Sequence, residues 1–251
     1  MTFDSLIDSA PLVGEAAREL LDRAISSAKT LGNRAIVVFD LDSTLLDNAP
    51  RQARIMREYG GEHGVGALTK VQGGHWGGWD ARIPMRNVGL SEQEVETHFE
   101  AFRQYWRDRF FTSEFCTDDE PIIGAPEYAR AVAESGARLF YVTGRHEPMR
   151  EGTVSCFGAH DLPLPNDDTV QLLMKPSLEE HDDAYKLRTY EALRQAGEVV
   201  AAFDNEPTHI NGYFEAFPEA LSVHLATDHS MRGIRVLSGI PSILDFEAWL
   251  R

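Results

Sequence analysis

Apolar positions along this chain gather into short runs that stop abruptly at polar or small residues, separated by longer stretches of mixed character. The clearest is Val37-Val38-Phe39-Asp40-Leu41-Asp42-Ser43-Thr44-Leu45-Leu46, a β-branched and aromatic run that ends in two aspartates one residue apart. Runs of this kind read as strands buried on both faces of a parallel sheet. Similar runs lie at 138–142, 170–174, 199–203 and 221–225, so five strands are countable. Helical patterns separate them at 126–134, 148–157, 183–195 and 208–217. Ahead of the first run, Leu12, Ala16, Leu20, Leu21, Ala24 and Ala28 keep close to helical spacing, which predicts an amphipathic helix over 11–31. The alternation predicts an α/β fold, a Rossmann-like parallel sheet of about five strands with helices on both faces.

One interval breaks the rhythm. Residues 48–120 hold helical stretches at 51–59 and 91–111 but no convincing buried strand, so they read as an inserted helical unit, with the core built from 1–47 and 121–251. Ser91 followed three residues later by Glu94 is a capping-box signature, and Phe99, Phe102, Tyr105, Trp106 and Phe110 predict a packed helix face. Between these helices runs a glycine-rich stretch, 60–78, carrying His63, His75, Trp76 and, just beyond it, Trp79; glycine permits unusual backbone angles and mobility there.

Composition narrows the function classes. A chain of 251 residues, 43% hydrophobic and 25% charged, can bury a full core. No stretch approaches the roughly 18 apolar residues that span a bilayer, and the start, with Asp4 and Asp8, lacks the basic and apolar segments of a signal peptide, so a cytoplasmic location without membrane partners is expected. The only cysteines, Cys116 and Cys156, have no metal or redox spacing and are expected as buried thiols. A formal charge of −16 opposes general binding to nucleic-acid backbones and favours a small substrate, although Arg82, Arg86, Arg103, Arg107 and Arg109 form a local basic group. His63 and His75 lack the cysteine or acidic partners of a zinc site.

The chemistry is expected at the carboxyl ends of the strands, where ligand sites of parallel sheets lie. Along extended backbone, Asp40 and Asp42 turn to the same side with Leu41 pointing away. Two carboxylates that close require a cation or a shared proton. A second run, Leu139-Phe140-Tyr141-Val142-Thr143-Gly144-Arg145, ends in a hydroxyl residue and a glycine, where the hydroxyl and nearby amides can meet a phosphoryl oxygen. Arg145 could contact a substrate phosphate or pair with a neighbouring carboxylate. A third run, Val200-Ala201-Ala202-Phe203-Asp204-Asn205-Glu206-Pro207, again ends in an acid. Between the last two lie two lysines, Lys175 directly after a predicted strand and Lys186 at the start of a predicted helix.

These motifs, in this order, resemble those of the haloacid dehalogenase-like hydrolase superfamily, whose first motif is Asp-x-Asp-x-Thr after an apolar strand. Ser43 stands where many members carry glycine, although phosphoserine phosphatase-like members share it. The resemblance covers the core, and the helical unit sits where the superfamily places its helical cap. It implies an Mg²⁺-dependent phosphomonoester hydrolase working through an aspartyl-phosphate: Asp40 as nucleophile, Asp42 as acid and base, Thr143 and a lysine as further catalytic groups, and Thr44, Gly144 and Arg145 around the substrate. For the lysine, Lys186 is preferred over Lys175. The implied Mg²⁺ ligands are Asp40, the carbonyl of Asp42, and Asp204; a further ligand is open among Asn205, Glu206 and His209. His146 lies near the motif without an assigned part. Asp42 favours a phosphomonoesterase over dehalogenases and phosphonatases, which generally lack that acid. The expected partner is a small phosphorylated substrate. The alternatives are a phosphotransferase or phosphomutase, a nucleic-acid end-processing phosphatase, which the overall charge disfavours, and a non-enzymatic phosphate-binding protein.

Overall fold

The computed structural model describes residues 7–166 and 168–250; residues 1–6, with Asp4 among them, 167 and 251 lie outside the described residues. Helix α1 (Gly14–Leu31) leads into strand β1 (Ala35–Phe39), and both flanks of β1 are then filled. On one side lie β4 (Arg138–His146) and β5 (Val170–Lys175); on the other lie β6 (Glu198–Asp204), β7 (Leu221–Leu225) and β8 (Ser242–Ile243). The sheet order is β5-β4-β1-β6-β7-β8 and every pairing is parallel. Helices α5 (Ala125–Glu134), α6 (Arg150–Ala159), α7 (Asp182–Ala196) and α8 (Pro207–Ala216) are the crossovers that parallel pairing demands.

Alternation along β1 explains the layers. Val37 and Phe39 point into one apolar cluster with Leu20, Leu21 and Ala24 of α1 and Tyr128 of α5. Ile36 and Val38 point into a second, with Tyr185, Tyr190 and Leu193 of α7 and Tyr213 of α8. All five β1 residues are buried, which is why this strand reads as unbroken apolar sequence rather than as alternation. The catalytic expectation depends on the consequence: β1 is central, so its carboxyl end lies between the ends of β4 and β6.

The stretch 49–118 has an apolar cluster of its own. Helix α2 (Ala49–Glu62) and helix α4 (Glu92–Phe110) pack Ile55, Met56, Tyr59, Val95 and Phe102 together. Ser91 caps α4 as its spacing predicts, accepting from the Glu94 amide while the Glu94 carboxylate accepts from the Ser91 amide at 2.8 Å. A short helix α3 (Arg82–Asn87) comes between them. The glycine-rich stretch is less open than its composition implies: Gly60 and Gly61 continue α2, and Leu68 and Val71 are fully buried. A Cβ on Gly60 would lie 2.7 Å from that of Leu68, so the glycine there serves close packing.

Some elements were not visible in the pattern. The sheet has a sixth strand, β8, and a two-stranded antiparallel ladder joins β2 (Leu46–Asp47) to β3 (Glu120–Pro121) where the chain leaves for the helical stretch and returns. Two-residue strands carry no period, and pairing across 70-odd residues leaves no local trace. Cys116 and Cys156 are free and buried. No described helix is long and apolar enough to cross a membrane.

Close approach also fixes α6 against the returning chain. The Gly152 amide donates to Ser113 Oγ at 2.5 Å, and a Cβ on Gly152 would stand 1.8 Å from the Ser113 carbonyl oxygen. Gly152→Ala is therefore expected to lower the stability of the protein by about 3 kcal/mol through overpacking, read as a lower urea midpoint at unchanged slope; a midpoint equal to that of the wild type would contradict the packing.

Candidate active site

The site forms where three strands end. The Asp40 amide donates to the Phe203 carbonyl at 3.0 Å, so the chain stays tied to β6 for one residue past β1. It then turns sharply, with the amides of Thr44, Leu45 and Leu46 all donating to the Leu41 carbonyl. Ser43 sits in this turn at φ 60°, the left-handed region where glycine is at ease. The Thr227 hydroxyl, donating to the Ser43 carbonyl, steadies the serine in that conformation.

Asp40 faces Asp204 from the neighbouring strand, and a buried cation lies between them. Lys186 Nζ donates to Asp40 Oδ1 at 2.6 Å and to Asp204 Oδ2 at 2.5 Å. Burial and the carboxylates of Asp204 and Asp42 outweigh Lys186 at Asp40, raising its pKa to about 7. Burial acts in the same direction on Asp204, but Lys186 and then His209 hold that carboxyl well below the usual range. Lys186 itself is pushed well above its ordinary value by Asp204 and Asp40, against its burial. Lys175 is elsewhere: at the end of β5, separated from β1 by β4, it donates to Asp182 Oδ1 at 2.6 Å and to the Glu180 carbonyl.

Asp42 is held differently. Arg145 grips it through Nε at 3.0 Å and a second nitrogen at 2.7 Å, and Arg51 of α2 donates to it at 2.9 Å. Behind them Asp119 is ion-paired to both arginines, at 2.9 Å to Arg51 and 2.6 Å to Arg145. Burial raises the Asp42 carboxyl, yet Arg145 and Arg51 prevail and keep it ionised far below the ordinary range. Of the two readings open for Arg145, the structure shows carboxylate pairing; its side chain is 1% exposed.

Thr143 is buried, and its hydroxyl accepts from the Arg145 amide at 3.2 Å. Gly144 lines the site cavity, and a Cβ there would meet the Asp182 carboxylate at 2.7 Å. Pairing of β4 with β5 is irregular between Val142 and His146, which turns these residues out of ladder register. Thr44 is also fully buried; its hydroxyl donates to Asn205 Oδ1 and accepts from the Asn205 amide, both at 3.1 Å, and lies 3.4 Å from Asp40. Neither threonine lines the cavity of about 390 Å³ above Asp40, Asp42 and Lys186.

The alternatives beside Asp204 have other partners. Asn205 donates to the Asp228 carbonyl, Glu206 accepts from the Ser230 amide and hydroxyl at 2.9 Å, and His209 lies 2.8 Å from Asp183 and 3.6 Å from Asp204. His146 is buried at the end of β4. His63 stacks on Tyr59 and His75 accepts from the Gln72 amide at 2.9 Å. Sequence reasoning missed Arg51, Asp119 and the 228–232 loop. Arg51 and Asp119 lie in the helical stretch and its return, where no motif marks them.

No protein-family model matches the chain, and no curated protein matches it in sequence. Among solved structures it is similar to protein tyrosine kinase A (PtkA) of Mycobacterium tuberculosis, at 17% identity and a TM-score of 0.52, covering 87% of this chain and 96% of that one. It is also similar to CbbY from Rhodobacter sphaeroides in complex with phosphate (15%, TM-score 0.49, 86% and 95%) and to a Had-superfamily hydrolase from Ehrlichia chaffeensis (12%, 0.48, 86% and 93%). Identities this low speak for the fold alone. What is shared is the α/β fold, a six-stranded parallel sheet flanked by helices. In this sheet, Asp40 and Asp204 stand at the ends of adjacent strands and converge on one point, the Lys186 ammonium. Among the described residues no group of three or more His, Cys, Asp or Glu is placed to hold a metal ion. Mg²⁺ needs less, one or two carboxylates with water and substrate oxygens completing the shell, so this pair of hard oxygen donors fits it.

Two outcomes test these electrostatics. Lys186→Met removes the ammonium between two buried carboxylates and is expected to cost about 3–5 kcal/mol in urea unfolding with chelator present; adding Asp40→Asn should recover part of the loss, and strict additivity would deny the coupling. Behind Asp204, the His224 ring lies 3.1 Å from the Asn205 carbonyl and 3.0 Å from Ser242 Oγ. Burial lowers its pKa from 6.5 to about 4. The unfolded chain takes up this proton near the ordinary value and the folded chain only near the lower one, so the stability is whole above the first and is lost as pH falls through the second. At pH 5 the loss is on the order of 2 kcal/mol; His224→Asn should lose correspondingly less between neutral pH and pH 5, and an identical loss would remove His224 as its source.

Proposed function

We propose that this protein is a phosphomonoester hydrolase that acts on a small phosphorylated substrate through an aspartyl-phosphate on Asp40, with Mg²⁺ as cofactor. The observation that carries this reading is the Lys186 ammonium bound to Asp40 and Asp204 at the carboxyl ends of β1 and β6, beneath an open cavity. A carboxylate attacking a phosphate must overcome the repulsion of two anions. A buried ammonium fixed within 2.6 Å of Asp40 offsets that repulsion without reorganising during the reaction.

In the first half-reaction an Asp40 carboxylate oxygen attacks phosphorus and the bond to the leaving oxygen breaks. In the second, water attacks the same phosphorus and the Asp40–phosphorus bond breaks, restoring the carboxylate. Asp42, ionised between Arg51 and Arg145, is in the charge state needed to take the proton of that water, although the same arginines weaken it as a base. Protonating the leaving oxygen first requires Asp42 to carry a proton, which the arginines oppose. Arg51 belongs to α2, so displacement of the helical stretch, read as a cap over 48–120 with β2 and β3 as its stems, would relax that opposition. Thr44 and Thr143 act by position, holding the amides of Asn205 and Arg145. Asp40, Asp204 and the Asp42 carbonyl would hold Mg²⁺, which when bound supplies positive charge to the phosphoryl oxygens.

Phosphate release from a panel of phosphomonoesters is expected to require Mg²⁺, to stop with chelator and to return when the metal is restored. Asp40→Asn should lower kcat by roughly 10³-fold or more. Release that survives in Asp40→Asn would remove Asp40 as nucleophile, and release indifferent to chelator would remove the metal.

A further inference from the structure

Two sets of residues of opposite character line the cavity at Asp40. One belongs to the core and carries charge, with Asp40, Asp42 and Lys186 among it. The other is apolar: Trp79, Trp106, Phe110 and Phe111 of the helical stretch, joined by Met149 of the core. These rings hold one another in place. Trp106 stacks on Phe110 at 4.5 Å between centroids, Trp79 meets the same ring edge-on at 5.7 Å, and Phe111 stands edge-on to Trp106 at 5.5 Å. Packing does not use up their surface, however. Trp79 is 37% exposed, and Trp106 and Phe111 are half-buried, so aromatic surface remains for a ligand within a few side chains of the carboxylates.

The charged set provides for the phosphoryl end of a substrate. What the cavity offers the other end depends on which polar groups are still uncommitted. Each polar side chain that lines it already has a partner within the protein. Asp182 pairs with Lys175, Glu206 accepts from Ser230, and His209 and Arg232 both engage Asp183. A sugar can lay a C–H face on an indole, but its hydroxyls would then lose water with no free side chain to replace it, a cost repeated at each hydroxyl. A flat apolar ring has no such groups to satisfy, and gains both buried area and ring-to-ring contact. There is also length for it: a second cavity, of about 510 Å³, continues the same wall past Trp79, Trp106 and Phe111 to Phe99 and Phe102. Resting on the phosphatase reading above, we propose that the substrate is a phosphate monoester whose alcohol carries an aromatic ring, with the phosphate at Asp40 and the ring against Trp79 and Phe111. Chemistry then belongs to the core and the choice of leaving group to the helical stretch.

The experiment measures kcat/KM for 2-phenylethyl, 2-cyclohexylethyl and ethyl phosphate, with glucose 6-phosphate beside them. All are esters of primary alcohols, so the leaving groups are chemically alike and the ratios report binding. The phenylethyl ester is expected to exceed the ethyl ester about 10- to 100-fold, and the cyclohexylethyl ester, equally apolar but not flat, about 2- to 10-fold. Both ratios should fall in Trp79→Leu, the second toward one; Phe111→Leu gives the same reading if the first variant does not fold. Either wild-type ratio near one, or ratios unmoved in both variants, overturns the proposal and leaves the phosphatase reading intact. Glucose 6-phosphate as the better substrate does the same. If neither these esters nor the wider panel release phosphate, titration calorimetry with 3-phenylpropylphosphonate and propylphosphonate, in which CH₂ stands for the ester oxygen, separates the two readings. Tighter binding of the first, lost in Trp79→Leu, supports the ring site and sinks the phosphatase, whereas equal or absent binding sinks both.

Discussion

Like charges brought together out of water are the constraint around which this molecule is organised. Asp40, Asp42 and Asp204 gather at the carboxyl ends of two adjacent buried strands, where repulsion and desolvation both favour protonation. The fold answers with cations from separate places in the chain. Lys186 comes from α7, Arg145 from the end of β4 and Arg51 from α2. The answer is unequal: Asp42 and Asp204 are held ionised, and Asp40 is the carboxylate left under strain, with a pKa of about 7. The metal and the covalent step proposed for Asp40 would each relieve that imbalance.

The two halves of the charge network differ in purpose as well as in composition. Around Asp40 the charges come from core elements whose apolar faces are locked into the sheet; Tyr185 and Tyr190 on either side of Lys186 are buried against Ile36 and Val38. That support keeps the ammonium in place. Around Asp42 the arginines bridge the core and the helical stretch, with Asp119 on the returning chain closing the circuit. The position of the helical stretch and the protonation of Asp42 are thereby linked through ion pairs.

The helical stretch contributes a different surface. Its apolar cluster is sufficient to pack α2 against α4, yet part of its aromatic face remains at the rim of the site beside arginines. Reading the aromatics of α4 as a packed helix face accounts for Phe102 and Phe110, which are buried, but not for the half-buried Phe99 and Trp106 in the wall of the second cavity. Helical spacing identifies which residues share a face; whether that face is covered depends on what the rest of the chain brings to it.

By itself, the sequence determined the strands and the polar residues that close them, because a buried parallel strand must be apolar throughout and a charge that ends it is conspicuous. Asp40 and Asp204 were legible as strand-end carboxylates for that reason, as was the Ser91 cap, whose signal spans three residues. The sixth strand and the β2–β3 ladder were not legible, since two residues carry no period and their partners are distant in sequence. Local pattern put Lys175 at a strand end and Lys186 at a helix start, and the preference for Lys186 came from the resemblance; the sheet order, with β4 between β5 and β1, carries Lys175 away from Asp40, while α7 brings Lys186 to it. Tertiary structure alone decided that Arg51 and Asp119 belong to the site and that Arg145 serves a carboxylate, because ion pairs between residues nine to more than a hundred positions apart leave no mark on the spacing of either.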